Sequence, residues 1–388
     1  MSSLLITNAR LVDAFSDARG SVSIADGRIA QVGGDIRADG FDSVIDARGM
    51  VVMPALCDLH CHLRDPGFPA KETMETGMRA ALAGGYATLT AMANTAPVIT
   101  SPAQVLKNIE KASELRLCRL FQAAAAGHGL SDVQPTDRAA LSEVTPVLSN
   151  DGNTIFDDAF MERLLMDSAE YGFFISTHCQ PERRTVERDL RLLERVGGDL
   201  HVGHISRAET VDMIRAAKRS GLKLTCEVTP HHLFGCDSPY RVNPPLRTKA
   251  DTEALLAGIA DGTVDCLATD HAPHTPQDKL DGLAGISNIE YALSMYWTKF
   301  AEAGLSLSLL SRLGAYNPSL RLNVNGGRLA AGCNADVVVF DPDAQWELEP
   351  EHMLSRSRNT PFGGAQLRGK ALMTIVEGEI RYDYGQTV

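Results

Sequence analysis

The sequence predicts an α/β protein, a (β/α)8 TIM-like barrel joined to a composite β-sandwich domain that both termini form. Three observations carry this. Short apolar runs alternate with amphipathic stretches through the middle of the chain, as repeated βα units around a parallel sheet require. Both ends read instead as short strands separated by tight turns. Histidines and aspartates recur at the downstream ends of the middle runs, where an α/β barrel gathers its chemistry.

In chain order, residues 1–52 give Leu4-Leu5-Ile6, Ala9-Arg10-Leu11-Val12, Gly20-Ser21-Val22-Ser23-Ile24 and Arg28-Ile29-Ala30-Gln31-Val32, with an Ala25-Asp26-Gly27 turn before the last. Alternating strands broken by Asp-Gly and Gly-Gly are a hairpin signature. The far end repeats it, with Ala335–Phe340, Ala371–Val376, a Glu377-Gly378-Glu379 turn and Ile380-Arg381-Tyr382. The expected division is 1–52 with 325–388 as the sandwich domain, and 53–324 as the metal-dependent catalytic barrel.

Eight middle runs are strand candidates: 51–60, 86–93, 117–124, 145–150, 172–178, 199–205, 222–228 and 263–269. The amphipathic stretches 73–83, 102–114, 157–170, 182–196, 207–219 and 249–260 lie between them as helices. Eight units with nothing left over favour the closed barrel. A doubly wound open sheet would gather its ligands at one switch point instead of on many strands.

The first run ends in Asp58-Leu59-His60-Cys61-His62-Leu63-Arg64-Asp65-Pro66-Gly67. On a strand, residues i and i+2 share a face, so His60 and His62 can grip one metal ion. Asp58 has the same parity and is expected to steady one of them. The second run reaches Asn94, the fourth Asp151, the fifth His178, the sixth His204 and the eighth Asp270. Each has a plain explanation alone: an Asp-Gly turn, a satisfied core histidine, a helix cap. Four histidines and two aspartates at equivalent positions of five strands point instead to a metal site. Imidazole and carboxylate ligands favour zinc, and the number of ligands favours two ions bridged by a carboxylate; manganese, cobalt and iron stay open. Such metals make hydroxide available near neutral pH, and Asp270 stands where a general base takes its proton and passes it to a leaving nitrogen.

Composition narrows the class. With 44% hydrophobic and 22% charged residues, the 388-residue chain is of ordinary globular type. A net charge of −12 argues against a nucleic-acid surface. No apolar run approaches the ~20 residues of a membrane span, and the N-terminus lacks a signal-peptide pattern. Eight cysteines without C-x-x-C spacing read as reduced and mostly buried, which fits a cytoplasmic protein.

These residues in this order resemble the amidohydrolase superfamily, and the run from Asp58 to Gly67 resembles that of the class I dihydroorotases. Met92-Ala93-Asn94-Thr95, Thr229-Pro230-His231-His232-Leu233, Val242–Arg247, Thr269–His274 and Arg358-Asn359-Thr360-Pro361-Phe362 are further matches. The resemblance implies reversible cyclisation of N-carbamoyl-L-aspartate to L-dihydroorotate in pyrimidine (UMP) synthesis. It implies that His60 and His62 bind one Zn2+ and His178 and His204 the other, that Asp151 bridges, and that Asp270 is ligand and proton shuttle. It further implies that Arg64, Asn94 and His274 hold the substrate carboxylate and that Asn243 contacts the ring. A planar guanidinium suits that carboxylate, which a neutral ring would not require.

The hydantoinases, allantoinases and class II dihydroorotases resemble one another in bridging their metals with a carboxylated lysine. Here no lysine occurs between Lys111 and Lys218, which leaves Asp151 as the bridge. Departures from the family are Ala93 for a usual proline, Gln180 for an acidic residue, and a short 275–286 segment where a substrate cover is expected. His231 and His232 are weighed equally as rim-packing residues or ligands; His128 and His201 read as ordinary polar positions, and His271 as supporting at most. Lys71 and Glu72 read as a solvated helix start, with contact to the substrate as the lesser alternative. Two rival readings are another hydantoinase- or allantoinase-like cyclic amidase, and a silent dihydroorotase-like partner of aspartate transcarbamoylase. A homo-oligomer and a transcarbamoylase partner both stay open.

Overall fold

The computed structural model describes residues 3–34 and 36–386. Five strands come from the N-terminal part: β1 (Ser3–Val12), β2 (Asp17–Ala25), β3 (Arg28–Val32), β4 (Ser43–Asp46) and β5 (Val51–Pro54). Eight lie in the middle: β6 (Leu56–Cys61), β7 (Tyr86–Ala91), β8 (Arg119–Gln122), β9 (Val147–Leu148), β10 (Phe174–Thr177), β11 (Leu200–Val202), β12 (Leu224–Val228) and β13 (Cys266–Leu267). The last three are β14 (Val337–Glu347), β15 (Gln366–Val376) and β16 (Glu379–Asp383).

The terminal strands form one sheet in the order β16-β15-β14-β5-β1-β2-β3, with β4 also on β1. Strand β1 serves two parallel partners in turn, β4 through Leu4–Thr7 and β5 through Arg10 and Leu11. A register shift between Ile6 and Ala9 lets it change partner. The β2–β3 turn has positive φ at Asp26 and Gly27 (52° and 73°), the twist a two-residue hairpin needs. Leu4, Ile6, Val22, Ile24, Val337, Val339 and Ile375 share an apolar core of this sheet's own.

The run expected as one strand over 51–60 is two. Met53 and Pro54 pair with β14, whereas Leu56 opens the barrel by donating to Gly85 O at 2.8 Å. Every residue of both strands is buried, so hydrophobic periodicity carries no mark of the passage from one sheet to the other. The expected boundary at 52/53 therefore falls inside β5.

Parallel ladders join β6-β7-β8 and β9-β10-β11-β12-β13. Two seams close them into a ring of eight. At one, Ala124 N donates to Val147 O (3.1 Å) and Ser149 N to Ala124 O (2.9 Å). At the other, Asp270 N donates to His60 O (2.9 Å) and His62 N to His271 O (2.8 Å). Asp58 clasps this second seam: its carboxylate accepts His60 N at 3.1 Å, Thr269 N at 3.0 Å and Thr269 Oγ1 at 2.5 Å. Burial pushes its pKa up to about 7 against the pull of those donors. Asp58 thus holds the backbone of His60, not an imidazole as the parity suggested.

The six expected helices are Met74–Ala83, Pro102–Leu115, Asp158–Tyr171, Glu182–Val196, Ala208–Arg219 and Lys249–Ala260. Thr73, Ser101, Asp157 and Thr248 cap four of them by accepting a first-turn N–H. One helix not anticipated, Ala292–Glu302, locks the last two strands, because its buried Tyr296 Oη donates to Val228 O and Ala268 O (2.9 and 2.7 Å). All eight cysteines are free and seven are buried; Cys236 is exposed. Among the described residues no helix is long and apolar enough to cross a membrane.

Candidate active site

Each anticipated ligand lies at or just past the carboxyl end of a barrel strand: His60 and His62 on β6, Asp151 after β9, His178 after β10, His204 after β11 and Asp270 after β13. All six are buried. Their polar atoms converge into two groups that share Asp151, one with His60 and His62 and one with His178 and His204; within each group the ligand atoms lie within 4.8 Å of one another. Asp151 Oδ1 is 3.2 Å from His60 Nε2, 3.5 Å from His178 Nδ1 and 3.4 Å from His204 Nε2, while Oδ2 is 3.3 Å from His62 Nε2. Asp270 Oδ1 stands beside the first group, 3.1 Å from His62 Nε2 and 3.9 Å from His60 Nε2.

The donor set fits a metal. His60 Nε2 is buried and has no hydrogen-bond partner although its ring faces the cluster, and the facing nitrogens of His178 and His204 lie 3.1 Å apart. A lone pair directed at a second lone pair in a dry site is unfavourable unless a cation or proton lies between. Burial would raise the Asp151 carboxyl, but the charge of His60 and hydrogen bonds from the surrounding imidazoles hold it well below the usual carboxylate range. Asp270 is likewise lowered against burial, by the His62 hydrogen bond and the His60 charge. Burial disfavours protonated His60, and the carboxylates of Asp151 and Glu227 more than reverse that. Metal binding displaces such protons, so affinity rises with pH.

Two ligand positions have backbones in the left-handed region, His204 at φ 30° and Asp270 at φ 44°, as does Arg64 at φ 56°. Each costs about 1–2 kcal/mol for an L residue, and such residues concentrate where a side chain must be aimed.

The anticipated substrate residues divide. Half-buried Asn94 touches two members of the cluster: its Oδ1 is 2.8 Å from His62 Nδ1, and its Nδ2 lies 3.4 Å from Asp151. Exposed Asn243 places Nδ2 2.9 Å from His178 Nε2. Arg64 and His274 meet at the mouth, with Arg64 Nη2 3.3 Å from His274 Nε2 and Nε donating to Pro273 O at 3.2 Å. Lys71 approaches the other nitrogen of the same ring at 3.3 Å, so it is no mere solvated helix start. Burial and the two cations lower the His274 pKa to about 3. A neutral imidazole has a single acceptor nitrogen, so two cationic donors cannot both be satisfied by it. Lys71 also has Asp278 at 3.3 Å. Among the described residues no carboxylate lies within ion-pair distance of Arg64.

Residues 275–286 form a helical turn, Pro276–Leu280, and a loop whose Gly285 packs against His274. Lys279 Nζ donates to the carbonyls of Arg241, Leu283 and Gly285 (2.8, 2.9 and 2.9 Å). Gly285 is required where it stands: at φ 149°, a Cβ there would lie 2.5 Å from Ala272 O and 2.7 Å from His274 Cδ2.

Of the remaining histidines, His231 and His232 have partners on both ring nitrogens, Thr229 and Asn288 for the first and Thr229 and Pro244 O for the second. They pack the rim and join neither metal group. His271 faces Glu72 and the backbone of Asn288, away from the cluster. Sequence reasoning missed Glu227 and the part of His201: Glu227 is wholly buried and 2.8 Å from His60 Nδ1.

The fold and this ligand set define a metal-dependent cyclic amide hydrolase. The chain belongs to the amidohydrolase family, whose model matches residues 51–381. More particularly, it is 38% identical to the dihydroorotase of Deinococcus radiodurans over 98% of this chain and 99% of that one. It is 36% identical to the dihydroorotase of Syntrophotalea carbinolica over the same shares, and 32% identical to that of Aquifex aeolicus over 98% of this chain and 100% of that one. Among solved structures, the L-hydantoinase (dihydropyrimidinase) of Arthrobacter aurescens superposes with a TM-score of 0.91 at 22% identity, covering 99% of this chain and 97% of that one. At that identity the likeness is one of fold.

Proposed function

We propose that this protein is a dihydroorotase, interconverting N-carbamoyl-L-aspartate and L-dihydroorotate, and that the two His/Asp groups sharing Asp151 would hold two Zn2+ ions. The observation that carries this reading is Arg64: a planar cation beside the metal ligands, without an anionic partner of its own, opposite a neutral His274. Such a group calls for a substrate carboxylate, which dihydroorotate has and a neutral hydantoin lacks. The hydantoinase-like alternative is weakened further because an aspartate stands among the histidines where a bridging lysine would be needed.

In this reading His60, His62 and Asp270 hold one ion, His178 and His204 the other. When bound, the metal pair supplies Lewis acidity at the amide carbonyl and a nucleophile at neutral pH. Asp270 takes a proton from the attacking water and delivers it to the ring nitrogen as the C–N bond breaks; in cyclisation the proton moves back and water leaves. Arg64 and His274 orient the substrate by its carboxylate, and the 275–286 segment limits water at the mouth. We assign this chemistry to the barrel, which opens at Leu56, and a supporting role to the sheet domain, which includes β5 and the C-terminal strands.

The test is ultraviolet-monitored ring opening of L-dihydroorotate by zinc-replete protein, with loss on chelation and recovery on adding zinc. Turnover of dihydropyrimidine or hydantoin but not dihydroorotate refutes the assignment. Folded, zinc-loaded protein with no activity on any of the three would point to the silent-subunit reading.

A further inference from the structure

Beneath the metal ligands lies a carboxylate that the reaction does not use. Glu227 sits inside β12, one residue before its end, with its side chain wholly buried. Its Oε1 accepts from His60 Nδ1 at 2.8 Å and from the backbone N–H of His204 at 3.3 Å. Its Oε2 meets His201 Nε2 at 3.0 Å, and His201 Nδ1 in turn meets Thr225 Oγ1 at 2.8 Å.

Gly203 lies beside this carboxylate. A Cβ there would sit 2.7 Å from Thr177 O, so the chain before His204 has no room for a side chain at that point, while its contacts with Glu227 Oε1 (3.5 Å) and His60 Nδ1 (3.6 Å) would be ordinary ones.

We propose that Glu227, braced by His201, is a positioning residue that sets both halves of the metal site at once. This rests on the assignment of His60 and His204 as ligands. By accepting the Nδ1 proton, Glu227 fixes His60 in the tautomer whose Nε2 lone pair faces Asp151, the buried nitrogen that has no other hydrogen-bond partner. The negative charge behind the ring raises its basicity as a ligand. By accepting the N–H of His204, the same carboxylate holds the unusual backbone at φ 30° that turns that ring inward.

The test compares metal binding with folding in Glu227→Gln. The amide oxygen still accepts from His60, and the amide N–H2 faces His201, whose proton moves to the nitrogen beside Thr225; shape and pairing are kept while the charge is lost. The expected result, from chelator competition with zinc, is a dissociation constant raised about 10–100-fold. The metal-free protein keeps its native fold, and the visible absorption of the cobalt-substituted form shifts. A merely structural role predicts the reverse, a lower metal-free melting temperature with unchanged zinc affinity and cobalt spectrum, and that outcome overturns the proposal. Should Glu227→Gln fail to fold, His201→Gln removes the brace without touching the metal group; a zinc affinity within about twofold of wild type overturns the proposal there, since partners of this kind act at about tenfold or more. Wild-type protein that binds no zinc would instead refute the ligand assignment beneath both readings, which keeps the two failures distinguishable.

Discussion

Replacing Asp270 with asparagine isolates the proton path. The residue at 270 has φ 44°, a conformation that asparagine tolerates better than other side chains with a Cβ, so the substitution leaves the seam bond from its N–H to His60 O intact. Alanine would add about 1–2 kcal/mol of backbone strain at the same place and blur the result. The substitution removes a carboxylate 3.1 Å from His62 Nε2, replacing an ionised acceptor by an amide that cannot carry a proton. A general acid–base group is worth about 10²–10⁴-fold in rate, or about 3–5 kcal/mol of barrier. Because the residue also stands beside the histidines proposed to hold metal, the assay is run with excess zinc and the bound metal is measured on the same samples. Ring opening of L-dihydroorotate and closure of N-carbamoyl-L-aspartate should fall by the same factor, leaving their equilibrium unchanged. If metal-replete Asp270→Asn kept more than about a tenth of wild-type turnover, far above what loss of a general base allows, the proton would have to travel by another group.

Other perturbations test the mouth, the clasp and the interior charge. Arg64→Lys keeps the charge but not the fork that spans Pro273 O and His274, so KM for dihydroorotate should rise by about tenfold, equivalent to about 1.4 kcal/mol; steady-state kinetics with an unchanged KM would place the carboxylate anchor elsewhere. Asp58→Ala strands the His60 N–H, the Thr269 N–H and the Thr269 hydroxyl, at about 1–3 kcal/mol each, whereas Asp58→Asn keeps the oxygen that accepts both amides; in urea unfolding of the metal-free protein, equal midpoints for these two variants would show that Asp58 does not clasp the ring. Burial raises the Glu290 pKa from 4.5 to about 7. The folded chain therefore keeps a proton that the unfolded chain releases, and stability declines as pH rises from 4.5 to about 7 by at most about 3 kcal/mol, then levels. Glu290→Gln should flatten that slope in pH-dependent melting, and an unaltered slope would assign it to other groups.

What the sequence made legible depended on periodicity and on joint occurrence. His60 and His62 were readable because two residues apart on a strand means one face, and His178, His204, Asp151 and Asp270 because each follows an apolar run. The split of 51–60 was hidden, since β5 and β6 are both buried on every face and differ only in their partners. Glu227 was hidden for a different reason: a glutamate within an apolar run gives no sign of which way it points, and its partners are 167 and 26 residues away in sequence. Lys71 likewise became interpretable only when His274, 203 residues downstream, came beside it. Local pattern identifies which residues carry chemistry; the closure of the ring decides which of them support the others.

The seam between β6 and the segment after β13 also orders events in the life of the chain. Its bonds join residues about 210 positions apart, and the two aspartates and four histidines come from both sides of it. A nascent chain that has emerged only as far as β12 carries His60, His62, Asp151, His178 and His204 but has neither Asp270 nor the last strand to fix β6 in register. Contacts of such span form late, after most of the chain is available. The seam and Asp270 are therefore in place only once the chain beyond β13 has joined β6, so the full set of six candidate ligands is assembled by closure of the ring and not by its amino-terminal half.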